Sequence, residues 1–117
     1  MSENRAEARI SLDNIEQNYR YLRQKAGENC IVMAVVKADA YGHGAVEVCR
    51  RLSAAGETHF AVACMEEAAL LRSSGIAGEL LVLGITPQEL YGSIAAYNVV
   101  QTVASYTYAA QLAACGP

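Results

Sequence analysis

Ile31-Val32-Met33-Ala34-Val35-Val36-Lys37 is a run of six apolar residues closed by a lysine, and Ala38-Asp39-Ala40-Tyr41-Gly42-His43-Gly44 follows without a break. The run is partly β-branched and too short for a typical helix, which suits a strand buried on both faces of a parallel sheet. Such a strand delivers Lys37 at its carboxyl end, where α/β enzymes place their reactive groups. An amine there is suited to nucleophilic chemistry. Taken alone, however, a strand-end lysine is most often a solvated surface residue. Gly42-His43-Gly44 predicts a tight turn in which glycine lets the backbone approach a ligand closely.

Upstream of this stretch, Leu12, Ile15, Tyr19, Leu22 and Ala26 recur at helical spacing behind Ser11, a good N-cap, and Gly27 follows where a helix would stop. Downstream, Ala45, Val48, Cys49 and Leu52 form a second helical stripe ending near Gly56. His59 to Ala63 then reads as a strand, Glu66 to Ser74 as a short helix and Leu80 to Leu83 as a third buried strand. Thr86-Pro87-Gln88-Glu89 has the pattern of a capping box with Pro at the first helical position, predicting a helix through about Tyr97. Val99 to Val103 is a fourth strand, and Ser105 caps a last helix carrying Tyr108, Leu112 and Ala113.

Strands starting near positions 31, 59, 80 and 99, each followed by a helix, mean parallel βαβ units. A closed eight-stranded barrel takes roughly 250 residues. These 117 residues therefore correspond to about half of one. A four-stranded doubly wound sheet satisfies the same strand count. Half a barrel would leave open strand edges at Ile31 and Val99 and an uncovered apolar face that includes Val32, Ala34 and Val100.

Composition narrows the function. With 53% hydrophobic and 18% charged residues the chain is a packed globular protein, and residues 1–117 contain no linker, so they read as a single partial domain. A net charge of -3 without any Lys/Arg run argues against nucleic acid and anionic membranes as partners. Cys30, Cys49, Cys64 and Cys115 form no C-x-x-C pair and lie in apolar stretches, where a thiol acts as a small hydrophobe, fitting a reduced, cytoplasmic setting. No segment has the length and apolarity of a signal peptide or a membrane span. His59 lacks ligand-spaced companions, so no metal is assigned. Tyr106 and Tyr108, at a helix start, read as packing or interface residues.

Ala34 to Gly44 resembles, along its whole length, the pyridoxal-phosphate attachment motif of alanine racemases. The resemblance continues through Arg5 to Asn18, similar to the family's opening strand and first helix. It extends to Phe60-Ala61-Val62-Ala63 with Glu66-Glu67-Ala68, and to Leu80-Leu81-Val82-Leu83-Gly84. It implies the N-terminal half of a TIM-type (β/α)8 barrel, four βα units preceded by a short strand and an amphipathic helix, with the C-terminal β-domain absent. It implies that Lys37 carries pyridoxal phosphate as a Schiff base and serves one face of the substrate. Tyr41 would bond the cofactor phosphate, and Leu83 would pack near the cofactor ring. In the family the base for the other face is a tyrosine from the C-terminal domain of the partner subunit of a homodimer. The implied activity is interconversion of L- and D-alanine for cell-wall peptidoglycan, with the isolated 117-residue chain inactive. Val100-Gln101-Thr102 is weakly similar to the serine racemases of vancomycin-type resistance, whose substrate would be serine. Pyridoxal-phosphate homeostasis proteins of the same barrel type are a further alternative, from which Asp39-Ala40-Tyr41-Gly42-His43-Gly44 departs.

Overall fold

Four short parallel strands lie side by side in the order in which they occur in the chain. The computed structural model describes residues 6–116. Helix α1 (Leu12–Ala26) leads into β1 (Ala34–Val35), a five-residue turn of helix α2 (Lys37–Tyr41) and α3 (Ala45–Ala54). Then follow β2 (His59–Val62), α4 (Met65–Ser73), β3 (Glu79–Val82), a 3-10 turn (Gln88–Leu90), α5 (Tyr91–Ala96), β4 (Val100–Gln101) and α6 (Tyr106–Ala114). The sheet order β1-β2-β3-β4 never reverses. A doubly wound sheet reverses direction at its switch point, whereas a barrel wall adds each strand beside the last. The fold is α/β, a partial TIM barrel.

The register separates the two faces of this wall. Ala34, Phe60 and Leu80 form one cross-strand row, and Val35, Ala61, Leu81 and Val100 form the next. Phe60, Val62, Leu80 and Val82 pack with Val48, Cys49 and Leu52 of α3, Met65, Ala68 and Leu71 of α4 and Ile94 of α5 in one hydrophobic core. On the other face Val35 and Val100 remain 42% and 46% exposed. The helices thus cover one side only, and β1 is not the doubly buried strand expected from its composition. Val32 and Ala34, expected on the open face, pack against the helix-side core because their register parity is that of Phe60. Ile31 is 72% exposed and outside the ladder, so β1 is only two residues long.

Local signals met mixed outcomes. Ser11 and Ser105 act as N-caps, their hydroxyls accepting the backbone N–H of Asn14 and Tyr108. The capping box at Thr86 does not form. Thr86 is buried, its hydroxyl donates to the Gln101 side chain, and its backbone N–H and C=O are both taken by the Tyr108 hydroxyl at 3.0 Å. The helix begins with a 3-10 turn instead, and no side chain caps α5. No strand occurs within residues 6–11, and Arg5 lies outside the described residues.

Two arginines tie helices to their surroundings. Arg72 of α4 donates to four carbonyls, those of Tyr97, Ile76, Gly78 and Asn98, and so fixes the loops entering β3 and β4. Arg51 of α3 pairs with Glu16 at 2.6 Å and with Asp13, joining α3 to α1. Hydrogen bonds from Arg51 and then Arg20 hold the Glu16 carboxyl below its ordinary value. A depressed carboxyl stabilises the fold above the ordinary carboxylate range, and that contribution is lost as pH falls through the lowered value.

Among the cysteines only Cys49 behaves as an internal hydrophobe, since Cys30, Cys64 and Cys115 are exposed. Burial pushes the Cys49 thiol up to about 12. Thiolate is the reactive form. Iodoacetamide at pH 8 is therefore expected to modify the three exposed cysteines in the native protein and Cys49 only in denaturant. Mass spectrometry of the labelled peptides checks this, and rapid native labelling of Cys49 would mean that α3 does not pack against the sheet.

Candidate functional site

The carboxyl ends of all four strands lie along one rim, because the strands are parallel. Lys37, half-buried, stands on this rim as the first residue of α2. The helix it begins is left-handed. Ala38, Asp39, Ala40 and Tyr41 have φ of 52, 56, 56 and 57°. An L-residue in this region carries a cost of about 1–2 kcal/mol because Cβ crowds the following carbonyl. Four in succession persist only where surrounding contacts over-determine them, and such strain gathers at functional sites.

Those contacts are visible. The Ala40 N–H donates to Val36 O at 2.8 Å, and the Gly44 N–H donates to Asp39 O at 2.9 Å. The Asp39 carboxylate accepts the first N–H of α3, that of Ala45, at 2.8 Å. His43 closes the turn by bonding Ala40 O through Nδ1 at 2.8 Å. Because a carbonyl only accepts, this bond places a proton on Nδ1. From α4 the Glu67 carboxylate reaches the Ala38 N–H at 2.8 Å and the Ala63 N–H at 2.7 Å.

The left-handed turn brings Lys37 and Tyr41 together, with Nζ 5.9 Å from the centroid of the phenol ring. Tyr41 is 61% exposed. Leu83 lies at the end of β3 on the same rim, 40% exposed, its N–H donating to Val62 O at 2.8 Å. One strand separates it from β1, which sets the two backbones roughly 10 Å apart. Gly84 beside it approaches the β2 backbone so closely that a Cβ there would stand 2.6 Å from Ala63 O. Gln101 completes this part of the rim, donating to Gly84 O at 2.7 Å and to Thr102 O at 3.0 Å. The sequence pointed to Lys37, Tyr41 and Leu83, which lie along this rim, and assigned no role to Asp39, Glu67 or Gln101. Among the described residues no group of three His, Cys, Asp or Glu could hold a metal.

A lysine just beyond the first strand of a sequentially wound barrel wall stands on the rim where barrel folds place their reactive groups. Residues 10–117 match the family model described as alanine racemase, N-terminal domain. Alanine racemase 1 of Clostridium acetobutylicum is 47% identical over 105 residues, covering 90% of this chain and 27% of that protein. The alanine racemase of Carboxydothermus hydrogenoformans is 43% identical over 96 residues, 82% of this chain and 26% of the relative. Among solved structures, alanine racemase from Clostridium difficile 630 superposes with a TM-score of 0.86 at 36% identity, over 91% of this chain and 28% of that one. Alanine racemase from Bacillus anthracis with bound L-Ala-P does so with a TM-score of 0.81 at 34% identity, over 87% and 26%. The chain belongs to the alanine racemase family. It spans about a quarter of the length of the relatives it matches.

Proposed function

We propose that these residues are the lysine-bearing part of the barrel of a pyridoxal-phosphate-dependent alanine racemase, with residues 1–117 forming one partial domain. The observation that carries this reading is the pairing of Lys37 with Tyr41 on the rim, in a chain whose relatives are alanine racemases. Alanine as the substrate is supported by the relatives' names and by the L-Ala-P bound in the Bacillus anthracis structure. The serine-racemase and cofactor-homeostasis alternatives are not favoured by these relatives.

The donor set fits pyridoxal phosphate. A primary amine at the strand end matches its aldehyde, a phenol beside that amine matches its phosphate, and an exposed leucine on the same rim offers an apolar surface to its ring. When bound, the cofactor withdraws electrons from the substrate α-carbon and makes its proton removable by a weak base. Lys37 Nζ would hold the cofactor in the absence of substrate and, released as a free amine when a substrate amine takes its place, would move a proton at one face of that carbon. Tyr41 would donate its phenolic hydrogen to a phosphate oxygen and so orient the cofactor. Leu83 would offer the ring an apolar surface and exclude water from one side. Inverting the α-carbon requires a second base on the opposite face, supplied by a C-terminal domain across a homodimer. No helix among the described residues is long and apolar enough to cross a membrane. Three exposed free thiols are compatible with a reducing, cytoplasmic setting.

Borohydride reduction of the whole protein with pyridoxal phosphate, followed by peptide mapping, tests the assignment. The reduced cofactor is expected on Lys37. Its recovery on Lys25, or on no lysine, would overturn the reading.

A further inference from the structure

We infer that Glu67 is a positioning residue whose carboxylate, by receiving the backbone N–H of Ala38 and of Ala63, sets the left-handed turn so that Lys37 meets its cofactor; this rests on the function proposed above. The ladder between β1 and β2 stops at the residue before Lys37. Its last rung is the bond from the Val36 N–H to Ala61 O at 2.8 Å. A parallel ladder continued one step further would pair the Ala63 N–H with Val36 O and the Ala38 N–H with Ala63 O. Both acceptors are already engaged. Val36 O receives the Ala40 N–H inside the left-handed turn, and Ala63 O receives the Gly84 N–H from β3.

Breaking the ladder in this way frees two N–H groups, those of Ala38 and Ala63. They are the two that Glu67 collects, one on each carboxylate oxygen, at 2.8 and 2.7 Å. Glu67 therefore stands in for the missing rung. It fastens the end of β2 to the first residue after Lys37, at the point where the backbone changes hand. Only a carboxylate of this length suits the task. Glutamine offers one acceptor and turns an N–H toward the second donor, and aspartate is one methylene short of spanning both. Glu67 acts through the Lys37 backbone and contributes no group to the chemistry.

Amide hydrogen exchange on the cofactor-free whole protein reads the clamp directly. In the wild type the Ala38 and Ala63 amides are expected to exchange slowly. In Glu67→Gln the amide left facing the side-chain NH2 should exchange about tenfold faster, the effect of losing one backbone bond to a charged acceptor, while core amides such as Phe60 keep their rates. With pyridoxal phosphate added, borohydride fixation at Lys37 should slow by about tenfold, and kcat should fall by more than KM changes. Glu66→Gln, at the exposed neighbour, should match the wild type in every assay. Rapid exchange at Ala38 and Ala63 in the wild type would overturn the inference even if the variant failed to fold, as would wild-type exchange, fixation and kcat in Glu67→Gln. Absence of cofactor on wild-type Lys37 would instead remove the proposed function, leaving the amide measurement to judge the clamp.

Discussion

Lys37→Ala in the whole protein is expected to lower racemase kcat by at least about a thousandfold, because on the function proposed above one substitution removes both cofactor attachment and a proton-transfer group, the second alone worth about 10²–10⁴. The fold should survive. Lys37 is half-buried and lies outside the hydrophobic core, so the change leaves no buried polar group unpaired. Tyr41→Phe makes the useful contrast. It deletes one neutral hydrogen bond, worth about 0.5–1.5 kcal/mol, and so should weaken cofactor retention by roughly 2- to 13-fold while sparing turnover at saturating cofactor. Assays of kcat against cofactor concentration separate the two. A turnover loss in Tyr41→Phe as large as that in Lys37→Ala would place the phenol in the chemistry itself.

The 117 residues produced alone are expected to show no racemase activity and, once folded, to associate in a concentration-dependent way. The inactivity follows from the lack of a second base. Association follows from the architecture. Val35 and Val100 expose close to half of their surface on the face that carries no helix, and Leu83 at the rim is similar. Among the described residues strands β1 and β4 each have one neighbour, and unpaired strand edges recruit further chains. Along the outer edge of β1 runs an apolar groove of about 360 Å³, lined by Ile15, Leu22, Val32, Val36 and Val48 among others. A second copy would shelter these surfaces from water. Light scattering over a dilution series measures the outcome, and a folded monomer at high concentration would show that the sheet covers its own edges.

Much of the architecture was legible in the sequence, and what escaped has physical causes. Helical spacing from Leu12 to Ala26 and the serine caps at 11 and 105 are local signals, and each formed as read. The lengths of β1 and β4 were overestimated because apolar composition reports burial, whereas a ladder also needs a partner strand on the correct side. Thr86 failed as a cap because Gln101 and Tyr108, distant in sequence, compete for the same hydroxyl and backbone groups. Lys37 and Tyr41 emerged from a continuous motif. Glu67 did not, since its importance lies in which ladder partners are already engaged, a tertiary fact that no spacing rule encodes. The left-handed turn was hidden for a related reason. Ala38, Ala40 and Tyr41 have no intrinsic preference for positive φ, so only the assembled neighbourhood imposes it.

That imposed handedness inverts the usual rules of substitution over four positions. Elsewhere in a helix glycine weakens the backbone, yet at Ala38 or Ala40 it would remove the clash that an L-side chain suffers. Valine, isoleucine or threonine, whose branched Cβ adds to that clash, would be excluded there whatever space surrounds them. A D-alanine introduced at either position by chemical ligation would occupy its own favoured region. The segment of this backbone with the strictest demand on chirality is thus the one adjoining the amine assigned to a substrate of both hands.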